Sequence, residues 1–172
     1  MTLRAPSPPL RWALALWSLQ IVFAAMLPLF ADEAYYLAWS RQLDVGYFDH
    51  PPFIAWWVAA GGGAVRVTGL VLWPGVCWLL YDAGRRWGVA ESQWIPALVM
   101  ATPLGFVAPI LTTPDGPLLV AWSLALWGVA AQRNTAVILG LALGLWSKAA
   151  VLAVWPGIVI VLGWRRTLWI TA

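Results

Sequence analysis

Two pairs of polar residues stand out in this sequence as candidates for chemistry. Asp32 and Glu33 follow directly on a long uncharged apolar run, and Asp49 and His50 stand together further along the chain. A carboxylate held at a surface can take the proton of a hydroxyl nucleophile, which is the role of a general base. The alternative for Asp32 and Glu33 is structural, because Asp32 is a favoured helix N-cap and Glu33 suits the first helical turn. The two interpretations are compatible.

The pair Asp49 and His50 lies in the most informative stretch of the chain, residues 46–52, which read GYFDHPP. Because Pro51 restricts His50 to an extended backbone conformation, the side chains of Asp49 and His50 are expected to project from a stiff turn. They are candidate metal ligands, phosphate contacts or orienting groups, and the alternative is a polar turn that leads into a helix. A divalent metal ion is therefore a candidate cofactor, but its third and fourth ligands have to come from elsewhere.

A third acid and two cations complete the set of candidates. Asp115 lies in residues 112–117, TTPDGP, whose composition by itself indicates a turn. Lys148 is a candidate counter-charge for a phosphate leaving group, with a snorkelling lysine as the alternative, and Arg66 is a second candidate for the same role. The sequence contains no Gly-rich phosphate loop or dinucleotide fingerprint. These residues therefore suit a charged group delivered at a lipid surface better than a soluble nucleotide.

The amino-acid composition indicates the class of protein to which these candidate residues belong. Of the 172 residues, 62% are apolar and 10% are charged, and there is one cysteine. Soluble domains are about 45 to 50% apolar and about 25% charged, so a soluble domain is excluded, as are a disordered chain and a disulfide scaffold. The net charge of +3 does not indicate nucleic acid, because the basic residues are scattered between apolar runs. The composition predicts a multispanning protein of the lipid bilayer.

The apolar runs predict an all-α fold, a polytopic membrane bundle of about six transmembrane helices. A span needs about 20 mostly apolar residues. Lys148 is unfavourable at the centre of one long helix, so two short helices are expected to meet there. The first outer loop, residues 31–52, is expected to hold an amphipathic helix that turns Tyr35, Tyr36 and Trp39 toward the membrane interface. The predicted spans are residues 12–30, 64–81, 92–111, 117–132, 135–147 and 149–164.

In this topology, most basic residues lie on one side of the membrane and most acidic residues lie on the other. The positive-inside rule assigns to the cytoplasm the side that holds seven of the ten basic residues, namely Arg4, Arg11, Arg85, Arg86, Arg133, Arg165 and Arg166. The opposite side receives five of the seven acids, namely Asp32, Glu33, Asp44, Asp49 and Asp115. Acids have little weight in that rule, so their clustering indicates a site on the outer face.

Four motifs carry a resemblance to a known family: residues 32–36 (DEAYY), 46–52 (GYFDHPP), 113–117 (TPDGP) and 144–148 (GLWSK). In this order and spacing they resemble the GT-C membrane glycosyltransferases. The closest branch is the bacterial one related to protein O-mannosyltransferases (glycosyltransferase family 39), lipid A aminoarabinose transferases and rhizobial galacturonosyltransferases. The resemblance implies that a sugar is transferred from a polyprenyl-phosphate donor to a lipid or protein hydroxyl, at the periplasmic face of the bacterial inner membrane and with inversion at the sugar carbon.

The resemblance also implies roles for individual residues. Asp32 matches the aspartate regarded as the catalytic base, Glu33 is its neighbour in the motif, and Asp115 matches the second essential acid. Asp49 matches a position that contributes to metal binding in the aminoarabinose branch, where His50 is replaced by a lysine. Lys148 matches a lysine that is thought to contact the donor phosphate.

This chain is shorter than the members of the family. Members usually have several hundred residues and more spans, so the resemblance covers the N-terminal part of the pattern, and we expect a fragment or a truncated chain. Two alternatives to an active transferase follow. One is a catalytically inactive remnant that keeps the fold. The other is a small transporter whose outer acids form a cation vestibule, which the nearly charge-free spans disfavour.

Overall fold

The computed structural model of the chain describes residues 7–163. Every regular element in this range is helical, which confirms the all-α prediction there. Arg4, Arg165, Arg166 and the end of the predicted span 149–164 lie outside the described residues. The α-helices are α1 Pro8–Met26, α2 Ala31–Ser40, α3 Phe53–Ala60, α4 Val67–Arg86, α5 Ile95–Ala101, α6 Pro103–Val107, α7 Asp115–Ala130, α8 Asn134–Ser147 and α9 Trp155–Leu162. Short 3₁₀ helices, Ser92–Trp94 and Ala149–Val154, precede α5 and α9.

Two helices, α1 and α4, are long and apolar enough to cross a membrane. They have 19 and 20 residues, which at about 1.5 Å per residue match the roughly 30 Å of a bilayer core. Helices α7 and α8 are apolar but shorter, with 16 and 14 residues. The bundle of six spans therefore stays a prediction.

Prolines and glycines divide two of the apolar runs. In the predicted span 92–111, α5 ends at Ala101 and α6 begins at Pro103, whose ring cannot continue the preceding helix. Between α3 and α4 the chain turns at Gly62 and Gly63, which have φ of 64° and 81° and so adopt the left-handed region that favours glycine. This turn places Arg66 directly before α4.

Helices α7 and α8 form an antiparallel hairpin that packs closely along its length. A side chain at Gly140 of α8 would bring its Cβ within 2.6 Å of the Ala125 nitrogen and 2.7 Å of the Ala121 oxygen of α7. Small residues at such positions let helices approach closely where apolar solvent gives little drive for association. The hairpin brings Asp115, the first residue of α7, to the same end of the bundle as Lys148, which follows α8.

The opposite end of α7 is fixed to α4 by a polar cluster around Asp82. Its carboxylate accepts hydrogen bonds from Nε of Arg86 at 2.6 Å, from Nη2 of Arg85 at 2.7 Å and from Nε1 of Trp127 at 2.9 Å. Asp82 is 4% exposed, and these partners satisfy a carboxylate that would otherwise be costly to bury. The two ends of the bundle are thus organised by separate groups of charges.

Candidate functional site

A buried ion pair between Glu33 and Arg66 lies at the end of the bundle that holds Asp115 and Lys148. Nε of Arg66 donates to Oε1 of Glu33 at 2.8 Å, and Nη2 of Arg66 donates to Oε2. The side chains are 1% and 11% exposed for Glu33 and Arg66. Such a two-pronged contact fixes the orientation of both planar groups as well as their distance.

Arg66 uses all its remaining donors on the end of α1. Its Nη1 donates to the carbonyls of Ala24 and Leu27 at 2.7 and 2.8 Å, and its Nη2 donates to the carbonyl of Pro28 at 2.7 Å. A guanidinium has five N–H groups, so every one of them has a partner within the protein. The last carbonyls of a helix lack partners inside it, and a cation there also suits the helix dipole. Arg66 is therefore fully used as a clamp between α1 and α2.

Glu33 extends the same clamp to two further segments. Its carboxylate accepts the backbone N–H of Phe30 and that of Thr112, both at 3.1 Å, and the Thr112 hydroxyl donates to the Val65 carbonyl at 2.7 Å. Burial raises the pKa of Glu33, but the hydrogen bonds from Arg66, Thr112 and Phe30 outweigh it and lower the pKa below its usual value. The pKa of Arg66 is raised by its hydrogen bonds to Glu33. We refer to Glu33, Arg66 and Thr112 below as the clamp.

Asp32 precedes Glu33 in α2 and has the opposite environment. It is exposed, and its carboxylate has no hydrogen bond to any residue in 7–163. The structural alternative for Asp32, a helix N-cap, is wrong: Phe30 is the N-cap residue, and the side chain that binds its backbone N–H is Glu33. The Asp32 carboxylate is left available at the surface because its neighbour makes the local structural contacts.

Asp115 and Lys148 form an ion pair at the mouth of the α7–α8 hairpin. Nζ of Lys148 lies 2.8 Å from Oδ1 of Asp115, and the side chains are 40% and 42% exposed, respectively. The hydroxyl of Ser147 donates to the carbonyl of Pro114 at 2.6 Å and holds the two chain segments together. An ammonium group has three N–H donors, so Lys148 keeps donors for a ligand while it contacts Asp115.

Asp49 and His50 lie on the loop that follows α2. The hydroxyl of Tyr35 donates to Oδ2 of Asp49 at 3.0 Å, and the His50 ring lies 6.1 Å from the ring of Tyr36. Among residues 7–163, no three side chains of His, Cys, Asp or Glu come together in a group that could hold a metal ion. A divalent metal ion does not fit the described residues of this loop on their own.

Tyr36 lies in α2 among the segments that carry these acids, and its predicted position is wrong. It was expected to face the interface with Tyr35, but Tyr36 is 6% exposed and packs inward, whereas Tyr35 is 40% exposed. Burial raises the pKa of Tyr36, and the charges of Asp32, Asp49 and Asp115 raise it further. Two of these acids lie near Tyr36 by their place in the fold, since Asp32 is one helical turn before it in α2 and Asp49 adjoins His50, whose ring is 6.1 Å from that of Tyr36. Asp32 and Tyr36 are four residues apart, which places both on one face of a helix. This spacing was the sequence signal that could have predicted the position of Tyr36.

Of the predicted site residues, the structure brings Asp32, Asp49, His50, Asp115 and Lys148 to one end of the bundle. Glu33 and Arg66 lie at the same end but beneath this surface, where their polar atoms are used within the protein. The arrangement offers exposed carboxylates that can accept protons or hydrogen bonds and one partly exposed ammonium that can bind an anion.

The comparisons with known proteins give one informative similarity. The chain is similar to lipid A galacturonosyltransferase RgtD of Rhizobium johnstonii, with 31% identity over 158 aligned residues. That relative is a glycosyltransferase. The alignment covers 83% of this chain and 33% of the relative, so the chain spans about one third of the length of the curated protein that it matches. No family model and no solved structure matches the chain.

This similarity supports the GT-C superfamily that the four motifs indicate, and with it a membrane glycosyltransferase as the general class. The two helices long enough to cross a bilayer agree with a membrane location. The member of the superfamily, the donor, the acceptor and the membrane face stay predictions.

Proposed function

We propose that this chain is a membrane glycosyltransferase, or a portion of one, that transfers a sugar from a polyprenyl-phosphate donor to a hydroxyl of a lipid or protein acceptor. The observation that carries the proposal is the gathering of Asp32, Asp115 and Lys148 at one end of the bundle: Glu33, next to Asp32, accepts the backbone N–H of Thr112, three residues before Asp115, and Asp115 pairs with Lys148. The similarity to a lipid A galacturonosyltransferase favours the same chemistry. On the predicted topology this end faces the periplasm of a bacterial inner membrane.

Asp32 is the proposed general base. The acceptor hydroxyl gives its proton to the Asp32 carboxylate as its oxygen forms a bond to the anomeric carbon of the sugar. The bond between that carbon and the phosphate oxygen breaks, and the lipid phosphate leaves with the electron pair. Asp32 suits this role because it is exposed and its carboxylate has no hydrogen bond within residues 7–163.

Lys148 is the proposed cation for the departing phosphate. Negative charge grows on the phosphate oxygen during the transfer, and a nearby ammonium stabilises it. Asp115 holds Nζ of Lys148 at 2.8 Å and so positions the ammonium before the donor arrives. Because the donor carries its own lipid anchor, the site needs no nucleotide pocket.

Glu33 and Arg66 have a different role from the one that their sequence positions suggested. Every N–H of the Arg66 guanidinium and both oxygens of Glu33 have protein partners. We infer that the pair positions the site rather than contacting donor or acceptor. It fixes Asp32 through its neighbour Glu33, and it fixes the segment before Asp115 through Thr112. Asp49 and His50 are proposed orienting groups, and no step is assigned to a metal ion.

The test is transfer by the purified chain in bilayer nanodiscs, with polyprenyl-phosphate galacturonic acid as donor and lipid A as acceptor. General base catalysis contributes about 10²- to 10⁴-fold, so Asp32→Asn is expected to lower the rate by at least about 100-fold. Asp44→Asn is the matched control, because Asp44 is an exposed acid of the loop that follows α2 and lies outside the proposed site. Wild-type transfer by Asp32→Asn would falsify the proposal, and absent transfer combined with ion flux in vesicles would favour the transporter alternative.

A further inference from the structure

Tyr36 occupies the centre of the acidic end and has no role in the function proposed above. Its ring is 6% exposed and belongs to a buried cluster with Ile54, Trp57, Val58 and Val65. The rings of Tyr35, Trp39 and His50 lie 5.8, 5.5 and 6.1 Å away. Packing on all these sides fixes the ring, and with it the position of the hydroxyl.

The hydroxyl of Tyr36 differs from those of its two neighbours in the same loop. Tyr35 donates to Asp49, and Tyr47 contacts the carbonyls of Trp39 and Gln42. Within residues 7–163 the Tyr36 hydroxyl has no hydrogen-bond partner, and it is not among the polar atoms sealed from solvent. The hydroxyl therefore lies at a solvent-accessible point of an otherwise buried, packed ring, where it can donate to a ligand.

The groups around this hydroxyl are acceptors. Asp32 lies one helical turn earlier on the same face of α2, Asp49 lies beside His50 on the following loop, and Asp115 begins α7. All three carboxylates act on the phenol electrostatically and, after burial, raise the pKa of Tyr36. The phenol thus stays protonated and keeps its ability to donate.

A phenol donor that lies among carboxylate acceptors matches the hydrogen-bonding capacity of a sugar hydroxyl. An ionised carboxylate can only accept a hydrogen bond, whereas a hydroxyl both donates and accepts. A sugar hydroxyl placed between them can donate to a carboxylate and accept from the phenol. A site made of carboxylates alone would leave the acceptor capacity of that hydroxyl unused.

We propose that Tyr36 is a sugar-binding residue whose hydroxyl donates a hydrogen bond to one hydroxyl oxygen of the transferred sugar, while that sugar hydroxyl donates to a neighbouring carboxylate. This inference rests on the proposed function, since it assigns a ligand contact within the same site. The aromatic ring and the three acids together fix where the sugar lies relative to Asp32.

Tyr36→Phe tests the inference, because it removes the hydroxyl and keeps the ring. Loss of one neutral hydrogen bond made throughout the reaction is expected to raise KM for polyprenyl-phosphate galacturonic acid about 3- to 10-fold and to leave kcat near that of the wild type. The melting temperature is expected to stay unchanged, because no partner within the described chain is lost. A clear fall in melting temperature would show that the hydroxyl has a protein partner, and would overturn the proposal. Tyr81→Phe, toward the other end of α4, is the control for loss of a tyrosine hydroxyl.

Deoxy analogues of the donor sharpen the test. An analogue that lacks the contacted hydroxyl is expected to bind the wild type and Tyr36→Phe with equal affinity, whereas the parent donor is expected to bind Tyr36→Phe more weakly than the wild type. Binding is measured by tryptophan fluorescence, which reports affinity whether or not transfer follows. Equal donor affinity in the wild type and Tyr36→Phe would overturn the role of Tyr36. Donor binding without any transfer, or transfer that survives Asp32→Asn, would instead overturn the proposed function, so the two failures are distinguishable.

Discussion

Arg66 and Glu33 form a two-pronged ion pair across 33 residues of sequence, with Nε of Arg66 2.8 Å from Oε1 of Glu33. The pair is almost completely buried, and it joins the end of α1, the start of α2 and the start of α4. Asp32 is the residue directly before Glu33. Asp32, an exposed candidate for catalysis, is therefore attached to a buried part of the molecule that is held by many hydrogen bonds.

Arg66→Lys should destabilise the protein strongly. A lysine has three donors and cannot reproduce the five contacts of Arg66, so the buried Glu33 carboxylate and the α1 carbonyls lose partners. Breaking a buried pair costs about 3 to 5 kcal/mol when one partner is removed, and we expect a loss toward the lower end of that range. Thermal unfolding in detergent measures it. Arg41→Lys, on an exposed residue, is the control, and an equal effect of the two substitutions would contradict the clamp.

The contribution of Glu33 should depend on pH. The pKa of Glu33 in the folded protein lies below its usual value of 4.5, so its stabilisation is fully present above that value and is lost as pH falls through the folded pKa. The difference in melting temperature between the wild type and Glu33→Gln should thus be largest near neutral pH and should shrink as pH drops below about 4.5. A difference that grows on acidification would contradict the assignment.

Asp115→Asn should lower transfer activity and leave the stability of the fold nearly unchanged. The Asp115–Lys148 pair is about 40% exposed on both sides, and such pairs contribute about 0 to 1 kcal/mol. We expect a nearly unchanged melting temperature together with a large loss of transfer, because the ammonium is no longer held in position. Thermal unfolding and the nanodisc transfer assay measure the two effects. A large loss of stability in Asp115→Asn would indicate that the acid is structural.

Gly140→Ala should disturb the α7–α8 hairpin. The added Cβ would lie 2.6 Å from the Ala125 nitrogen, a distance that backbone movement alone can relieve, and overpacking of this kind costs about 1 to 3 kcal/mol. Gly75→Ala in α4 is the matched control, since its Cβ would meet no atom within 4 Å and alanine favours a helix over glycine. Lower stability for both variants alike would argue against the close packing of α7 on α8.

Local signals in the sequence predicted much of the architecture. Apolar runs, the Gly61–Gly63 break and the position of Lys148 between two helices all depend on neighbouring residues, and the structure has helix ends at each of these points. Pro103 was also a visible signal, and the interruption of the 92–111 segment follows from its ring. These features can be predicted because their causes lie within a few residues of their effects.

The arrangement of the site could be predicted less well, because its contacts join distant segments. Glu33 contacts Thr112 across 79 residues, and no periodicity in either segment indicates this pairing. The inward position of Tyr36 depends on α3, which covers one side of α2. Sequence reasoning therefore grouped these polar residues together but could not identify Glu33 and Arg66 as the two whose polar atoms are used within the protein.

The clamp also gives the order in which the site can form during synthesis. Glu33 emerges with its charge uncompensated, and its first partner, Arg66, follows only 33 residues later. Thr112, which completes the carboxylate contacts, comes 79 residues after Glu33. The segment that contains Asp32 consequently lacks these partners while α1 and α2 are made, and the candidate site is complete only when Lys148, which follows α8, has been synthesised.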